Sequence, residues 1–154
     1  MGRGCGCAPE TPSLTPDVES NSFTVICFQE ETGTPNGPFL LAIHDTETTG
    51  LGMECEIIQL SCLVNQYLLP DKKMISESAT KFHGVSVRYQ NGAKQLHKNG
   101  NQLPAVSQAQ GLGNFLSFIK EVGSETRVVL VAHNGNRFDF PILLRSMKEQ
   151  GLLK

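Results

Sequence analysis

Two apolar runs that break off into polar clusters constrain this chain most. Phe39-Leu40-Leu41-Ala42-Ile43 leads into Asp45-Thr46-Glu47-Thr48-Thr49-Gly50, and Arg127-Val-Val-Leu-Val-Ala132 leads into His133-Asn134-Gly135-Asn136-Arg137-Phe138-Asp139. Each run reads as a buried strand with chemistry-bearing residues at its end. Residues two apart on a strand share a face, so Asp45 and Glu47 project together, and Gly50 lets the backbone turn away. Carboxylates held side by side repel each other unless a cation lies between them, and hard divalent ions favour such oxygen ligands. Tertiary folding can add Asp139 as a third carboxylate. An acidic cluster at a strand end is one way to build a two-metal site that cleaves phosphodiesters.

The rest of the chain supplies a scaffold around these strands. Residues 1–38 are rich in Gly, Pro, Ser, Thr and Glu and read as a disordered tail, in which Phe23–Phe28 is a candidate short strand. The domain begins at Phe39. Glu56–Val64 reads as a second strand, and residues around Lys73–Thr80 as a third, giving an antiparallel meander. Val87–Pro104 is polar and reads as a long loop. Leu112, Phe115, Leu116 and Ile119 recur at helical spacing and place a helix over Ser107–Val122. Phe138, Ile142, Leu143 and Met147 do the same for Arg137–Gln150, with Pro141 in the first turn and Gly151 as a stop. Strands, then helix, strand and helix, make an α/β domain with a mixed sheet flanked by helices.

Composition excludes little. The 154 residues suit one domain, and a net charge of −2 carries no overall basicity. The stretch Lys72, Lys73, Lys81, Arg88, Lys94 and Lys98, against Asp71 and Glu77, is locally basic. Such a stretch beside an acidic metal site suits a phosphate backbone, although a solvated loop explains it equally well. No apolar run approaches a membrane span, and no secretory leader opens the chain. Five cysteines at irregular spacings argue against a disulfide framework and for a reducing, intracellular compartment, nucleus or cytoplasm.

The two clusters resemble the first two motifs of the DEDD (DnaQ-like) 3′-to-5′ exonucleases. Asp45-x-Glu47-Thr-Thr-Gly is similar to the first motif. His133-Asn134-Gly-x-Arg-Phe138-Asp139-Phe-Pro is similar to the second, in the version carried by animal three-prime repair exonucleases and by the exonuclease-like domain of one promyelocytic leukaemia protein isoform. Ile75, Ala79 and Phe82-His83-Gly84-Val85-Ser86 resemble the segment that links them. The resemblance spans residues 39–154 and implies an RNase H-like fold. It further implies two Mg²⁺ or Mn²⁺ ions held by Asp45, Glu47 and Asp139 as catalytic ligands, and a DNA or RNA 3′ end as partner. Thr48, Thr49, Leu51 and Asn134 would touch that end. Three-prime repair exonucleases typically form homodimers through a sheet edge, so the resemblance raises that assembly too.

The family also carries a third motif, His-x-x-x-x-Asp, after the second, and the sequence as given ends at Lys154 without it. The missing histidine would be the general base and the missing aspartate the fourth ligand. The resulting expectation is a partial exonuclease domain, weak or inactive in turnover, with an exposed sheet edge and an uncovered apolar patch. The alternative is a non-catalytic exonuclease-like module that binds nucleic acid or protein. Each residue has a plainer reading: Asp45 and Glu47 as turn acids, Asp139 as a charge favoured by a helix N-terminus, Leu51 as a loop residue. His44 faces the packing side and reads as a core histidine with a local partner. Neither His83 nor His97 stands where the family places its base.

Overall fold

The computed structural model describes residues 23–28 and 39–153, except 63 and 125. The elements, in chain order, are β1 (Phe23–Phe28), β2 (Phe39–Thr48), β3 (Ile57–Cys62), β4 (Val64–Leu69), α1 (Glu77–His83), β5 (Val85–Gln90), β6 (Ala93–Lys98), β7 (Asn101–Gln102), β8 (Ala105–Ser107), α2 (Gln108–Val122), β9 (Arg127–His133) and α3 (Asp139–Glu149). The expectation of a disordered tail falls, apart from β1, outside the described residues.

Six strands form a mixed sheet in the order β1-β9-β2-β3-β4-β8. The parallel partner of β2 is β9, with Phe39 opposite Arg127 and Ile43 opposite Val131. The other neighbours of these strands, β1 and β3, run antiparallel to them. Helices α2 and α3 cover one face. Their Leu112, Phe115, Ile119, Phe140, Ile142, Leu143 and Met147 pack on Ala42, Leu60, Val128, Leu130 and Ala132 in one core. Alternation explains this: every second residue of β2 and β9 turns to the helices. The α/β expectation with a mixed sheet flanked by helices therefore holds. No described helix is long and apolar enough to cross a membrane.

Three sequence expectations are corrected. The Glu56–Val64 strand is shorter, Ile57–Cys62, and a second strand, β4, follows it almost at once. The meander thus stands, with β4 in the place expected for Lys73–Thr80. That stretch instead holds α1, because Ser76 is an N-cap whose Oγ accepts from Ala79 N at 3.1 Å, and Gly84 closes the helix at a φ of 76°. Val87–Pro104 is mostly sheet rather than loop. There β5, β6 and β7 make a separate antiparallel sheet. Its two turns are Asn91-Gly92 (φ 52° and 78°) and Asn99-Gly100 (φ 52° and 84°), the backbone that two-residue hairpins require. Val85 and Leu96 from this sheet join Ile58 in a second, smaller core, with Tyr67, Leu69 and Val87 packed around it.

Candidate functional site

The site lies where β2 and β9 part. Their parallel pairing ends at Ile43 and Val131, but β2 continues along β3 to Thr48. Beyond Ile43 the β9-facing edge of β2 thus has no strand to bond among the described residues. Asp139, in the first turn of α3, fills part of this gap: its Oδ1 accepts from Thr46 N at 3.1 Å and from Thr46 Oγ1 at 2.6 Å. A crevice outside the carboxyl ends of neighbouring parallel strands is where open α/β sheets bind ligands.

The turn from β9 to α3 is built to deliver Asp139 there. Asn134 adopts the left-handed region at a φ of 53°, and its carbonyl accepts from Arg137 N at 3.0 Å. Gly135 is required by close approach. A Cβ at that position would stand 2.7 Å from the Phe140 ring. Phe140 N donates to Gly135 O at 2.9 Å, closing the turn. Asn134 therefore serves the loop through its backbone, and its side chain is exposed.

Asp45 and Glu47 share the face of β2 turned away from the helices. Asp45 is exposed and Glu47 half-buried. Opposite them on β3 stand Ser61 and Gln59. The Glu47 carboxyl is held above the usual carboxylate range by partial burial first, then by the Asp45 charge; Lys98 opposes this and Asp139 adds to it. Glu47 thus feels the charges of both other predicted ligands. The three are not drawn into one ligand set, however. Among the described residues no three His, Cys, Asp or Glu side chains converge to hold a metal ion. The adjacent, solvent-facing Asp45 and Glu47 fit a hard divalent ion as a pair, whereas Asp139 is buried and committed through Oδ1 to Thr46.

Thr48 and Thr49 are buried, and their hydroxyls are used internally. Thr48 Oγ1 donates to Gly50 O, and Thr49 Oγ1 accepts from Glu56 N at 3.1 Å. Thr49 N in turn donates to Glu56 O at 2.9 Å. These bonds staple the base of a loop on which Leu51 stands out, 87% exposed. The Glu56 carboxylate extends the staple by accepting from the backbone of Asp71, Lys72 and Lys73. The threonines thus shape this segment, and Leu51 is the side chain it presents.

Helix α1 runs beside the same segment. Ser76 N donates to Thr49 O at 2.8 Å, and His83 Nε2 donates to Thr48 O at 3.3 Å. His83 Nδ1 accepts from Val85 N, which fixes the neutral tautomer. Burial keeps His83 below the ordinary histidine range. Next to it Phe82 is 86% exposed. The sequence singled Phe82 out only as part of the linking segment. Helical placement beside Thr48–Gly50 is what gives it significance, and that helix was not legible as one.

His44 is a core histidine as expected, but its partner is a ring rather than a hydrogen bond. It stacks on Phe140 with centroids 5.2 Å apart and planes 6° from parallel, while both ring nitrogens lack hydrogen-bond partners among the described residues. Burial holds it below the usual histidine range, opposed by the charges of Asp139 and Asp45. His97 bonds with Gly100 O and Gln95 Oε1, away from the carboxylates. No protein-family model matches the chain, and no curated protein matches it.

Proposed function

We propose that this protein is an RNase H-like, metal-dependent 3′-to-5′ exonuclease domain acting on DNA or RNA ends, with weak or no turnover from the described residues alone. The carrying observation is the Asp45–Glu47 pair at the fork between β2 and β9, with Asp139 brought to the same fork. Strand order supports the reading: a meander of β2, β3 and β4 beside a parallel β9, with helices following. Asp45 and Glu47 would hold the metal pair, Mg²⁺ or Mn²⁺, and Asp139 would act through water and through its charge. When bound, such ions supply activation of the attacking water and neutralisation of the leaving oxygen. Leu51 and Phe82, both exposed, offer apolar surfaces to a terminal base. Lysines at 81 and 98 supply positive charge for the backbone.

A second reading, a nucleic-acid- or protein-binding module without turnover, is favoured by three of the four histidines. His44 is sealed in the core, His83 is tied to Thr48, and His97 is tied to its own hairpin. None of the three is placed to take a proton from water at the carboxylates, a role that contributes roughly 10²–10⁴-fold. Two measurements test these readings. Mn²⁺ titration into the wild type and into an Asp45→Ala, Glu47→Ala double variant should show binding only in the former. A labelled oligonucleotide incubated with Mg²⁺ or Mn²⁺ should be bound and degraded slowly or not at all. Equal metal affinity in both proteins removes the site; rapid degradation abolished by Asp45→Ala removes the binding-module reading.

A further inference from the structure

Lys98 ends β6, opposite Val85, immediately before the Asn99-Gly100 turn. Its stem lies against Gly84, where a Cβ would meet Lys98 Cγ at 3.8 Å and Cε at 3.9 Å. Gly84 follows His83, the residue bonded to Thr48 O, and Thr48 follows Glu47. Two features fix the position of the small sheet that carries Lys98. Val85 and Leu96 are fully buried against Ile58, and at the far end Lys94 Nζ donates to Pro70 O at 2.7 Å. Other cations of this basic stretch are engaged elsewhere: Lys72 pairs with Glu149 at 3.7 Å and Lys81 with Glu77 at 3.0 Å. Lys98 is instead placed against Gly84, next to the His83 that bonds Thr48 O. No described carboxylate forms an ion pair with it.

We propose that Lys98 is a substrate-binding residue: its ammonium, presented by the second sheet beside Asp45 and Glu47, takes the backbone phosphate of a nucleic-acid strand entering the site. This rests on the metal-site reading and names the group that offsets its negative charge toward an anionic substrate. A cation beside a carboxylate pair acts with opposite sign on the two ligands. It repels a metal ion and attracts a phosphate. A lysine that merely packs its stem on Gly84 would do neither.

The test compares Lys98→Met, which keeps an apolar stem, with Lys98→Arg and with Lys94→Met, each checked by thermal unfolding. Fluorescence anisotropy of a labelled oligodeoxynucleotide in Ca²⁺ and calorimetric titration of Mn²⁺ are the two readouts. For Lys98→Met, oligonucleotide affinity should fall about three- to tenfold and the salt slope by about one, as for loss of one phosphate contact. Mn²⁺ affinity should rise severalfold, because a like charge is gone. Lys98→Arg should retain the wild-type oligonucleotide affinity, and Lys94→Met should change neither readout. Unchanged oligonucleotide affinity and salt slope in a folded Lys98→Met protein overturns the proposal. So does an Arg variant that is as weak as Met. If Asp45→Ala, Glu47→Ala leaves Mn²⁺ affinity unchanged, the metal reading fails instead, whatever Lys98 does.

Discussion

The two faces of β2 are opposites. Toward the helices, Ala42, His44, Thr46 and Thr48 are each 5% exposed or less. On the other face Phe39 is 62%, Leu41 55% and Ile43 69% exposed, and the same row continues into Asp45 and Glu47. One strand therefore carries a packed side and an open side, and the candidate site is an extension of the open one. The small sheet covers the open face only over β3 and β4, through Ile58, Tyr67 and Leu69. Stability should thus reside on the helix side, and ligand binding on the other. Both assignments follow from the period-2 alternation of a strand.

The sharpest way to break this contrast is a pair of truncations. Leu130→Ala, at a fully buried position on the helix side, should cost about 2–5 kcal/mol in urea unfolding. Ile43→Ala on the open side should stay within about 0.5 kcal/mol. If Ile43→Ala costs as much as Leu130→Ala, the open face is covered in solution and the contrast fails.

Next in size is the bond that joins the two sides. Thr46 points to the helices, yet its hydroxyl and its N–H both serve Asp139. Thr46→Val keeps the shape and the backbone bond but removes the hydroxyl. A hydrogen bond to a charged group contributes about 1.5–3 kcal/mol, so a loss near the lower end is expected in the same urea assay. Mn²⁺ affinity should change less than in the Asp45 and Glu47 variants, because Asp139 stays in place through Thr46 N. A collapse of metal binding in Thr46→Val would make Asp139 a direct ligand.

Legibility followed the same division. The strands β2 and β9, the helices α2 and α3, and the positions of Asp45, Glu47 and Asp139 were readable because long periodic runs report which side is buried. The small sheet was missed although its turns spell Asn91-Gly92 and Asn99-Gly100, a strong local hairpin signal. Polar content on its exposed strands outweighed that signal. Helix α1 reads as strand in the sequence because seven residues carry too little periodicity, and only its caps, Ser76 and Gly84, mark it. The roles of Thr48 and Thr49 were not readable, since their hydroxyl bonds depend on where Glu56 and Gly50 fall in space. Lys98 needed the hairpin before it could be brought near Glu47.

A third prediction concerns histidines that burial holds below the ordinary range of about 6.5. In each case the unfolded chain binds a proton more readily than the folded one. Their contribution is therefore whole above about pH 6.5 and is lost as pH falls toward the lowered folded values. Stability measured by urea should decline over that interval. His44→Phe should flatten the decline, and His83→Gln should flatten it further. His44→Phe should also raise stability at neutral pH by roughly 1 kcal/mol, because it removes buried nitrogens without partners while keeping a ring on Phe140. An unchanged pH slope in His44→Phe would place its nitrogens in contact with water.

The smallest global effect should come from the small sheet, and it should be visible on the open face. Gly100 adopts a φ of 84°, a region that costs a residue with a Cβ about 1–2 kcal/mol. No neighbour lies within 4 Å of a Cβ added there, so Gly100→Ala isolates backbone strain from crowding. The turn closes β6 on β7, at one edge of a sheet held by its own small core, so the strain can be relieved by local fraying rather than global unfolding. Urea unfolding should shift by about 1 kcal/mol or less. Amide exchange should quicken at His97 and Lys98 and stay unchanged at Leu130. Because Lys98 adjoins the turn, loosened placement should also weaken oligonucleotide binding in the anisotropy assay, in the same direction as Lys98→Met but by a smaller factor. Exchange that quickens equally at Leu130 would show the two sheets unfolding as one unit. Faster exchange at Lys98 with unaltered oligonucleotide affinity would separate the small sheet from the site.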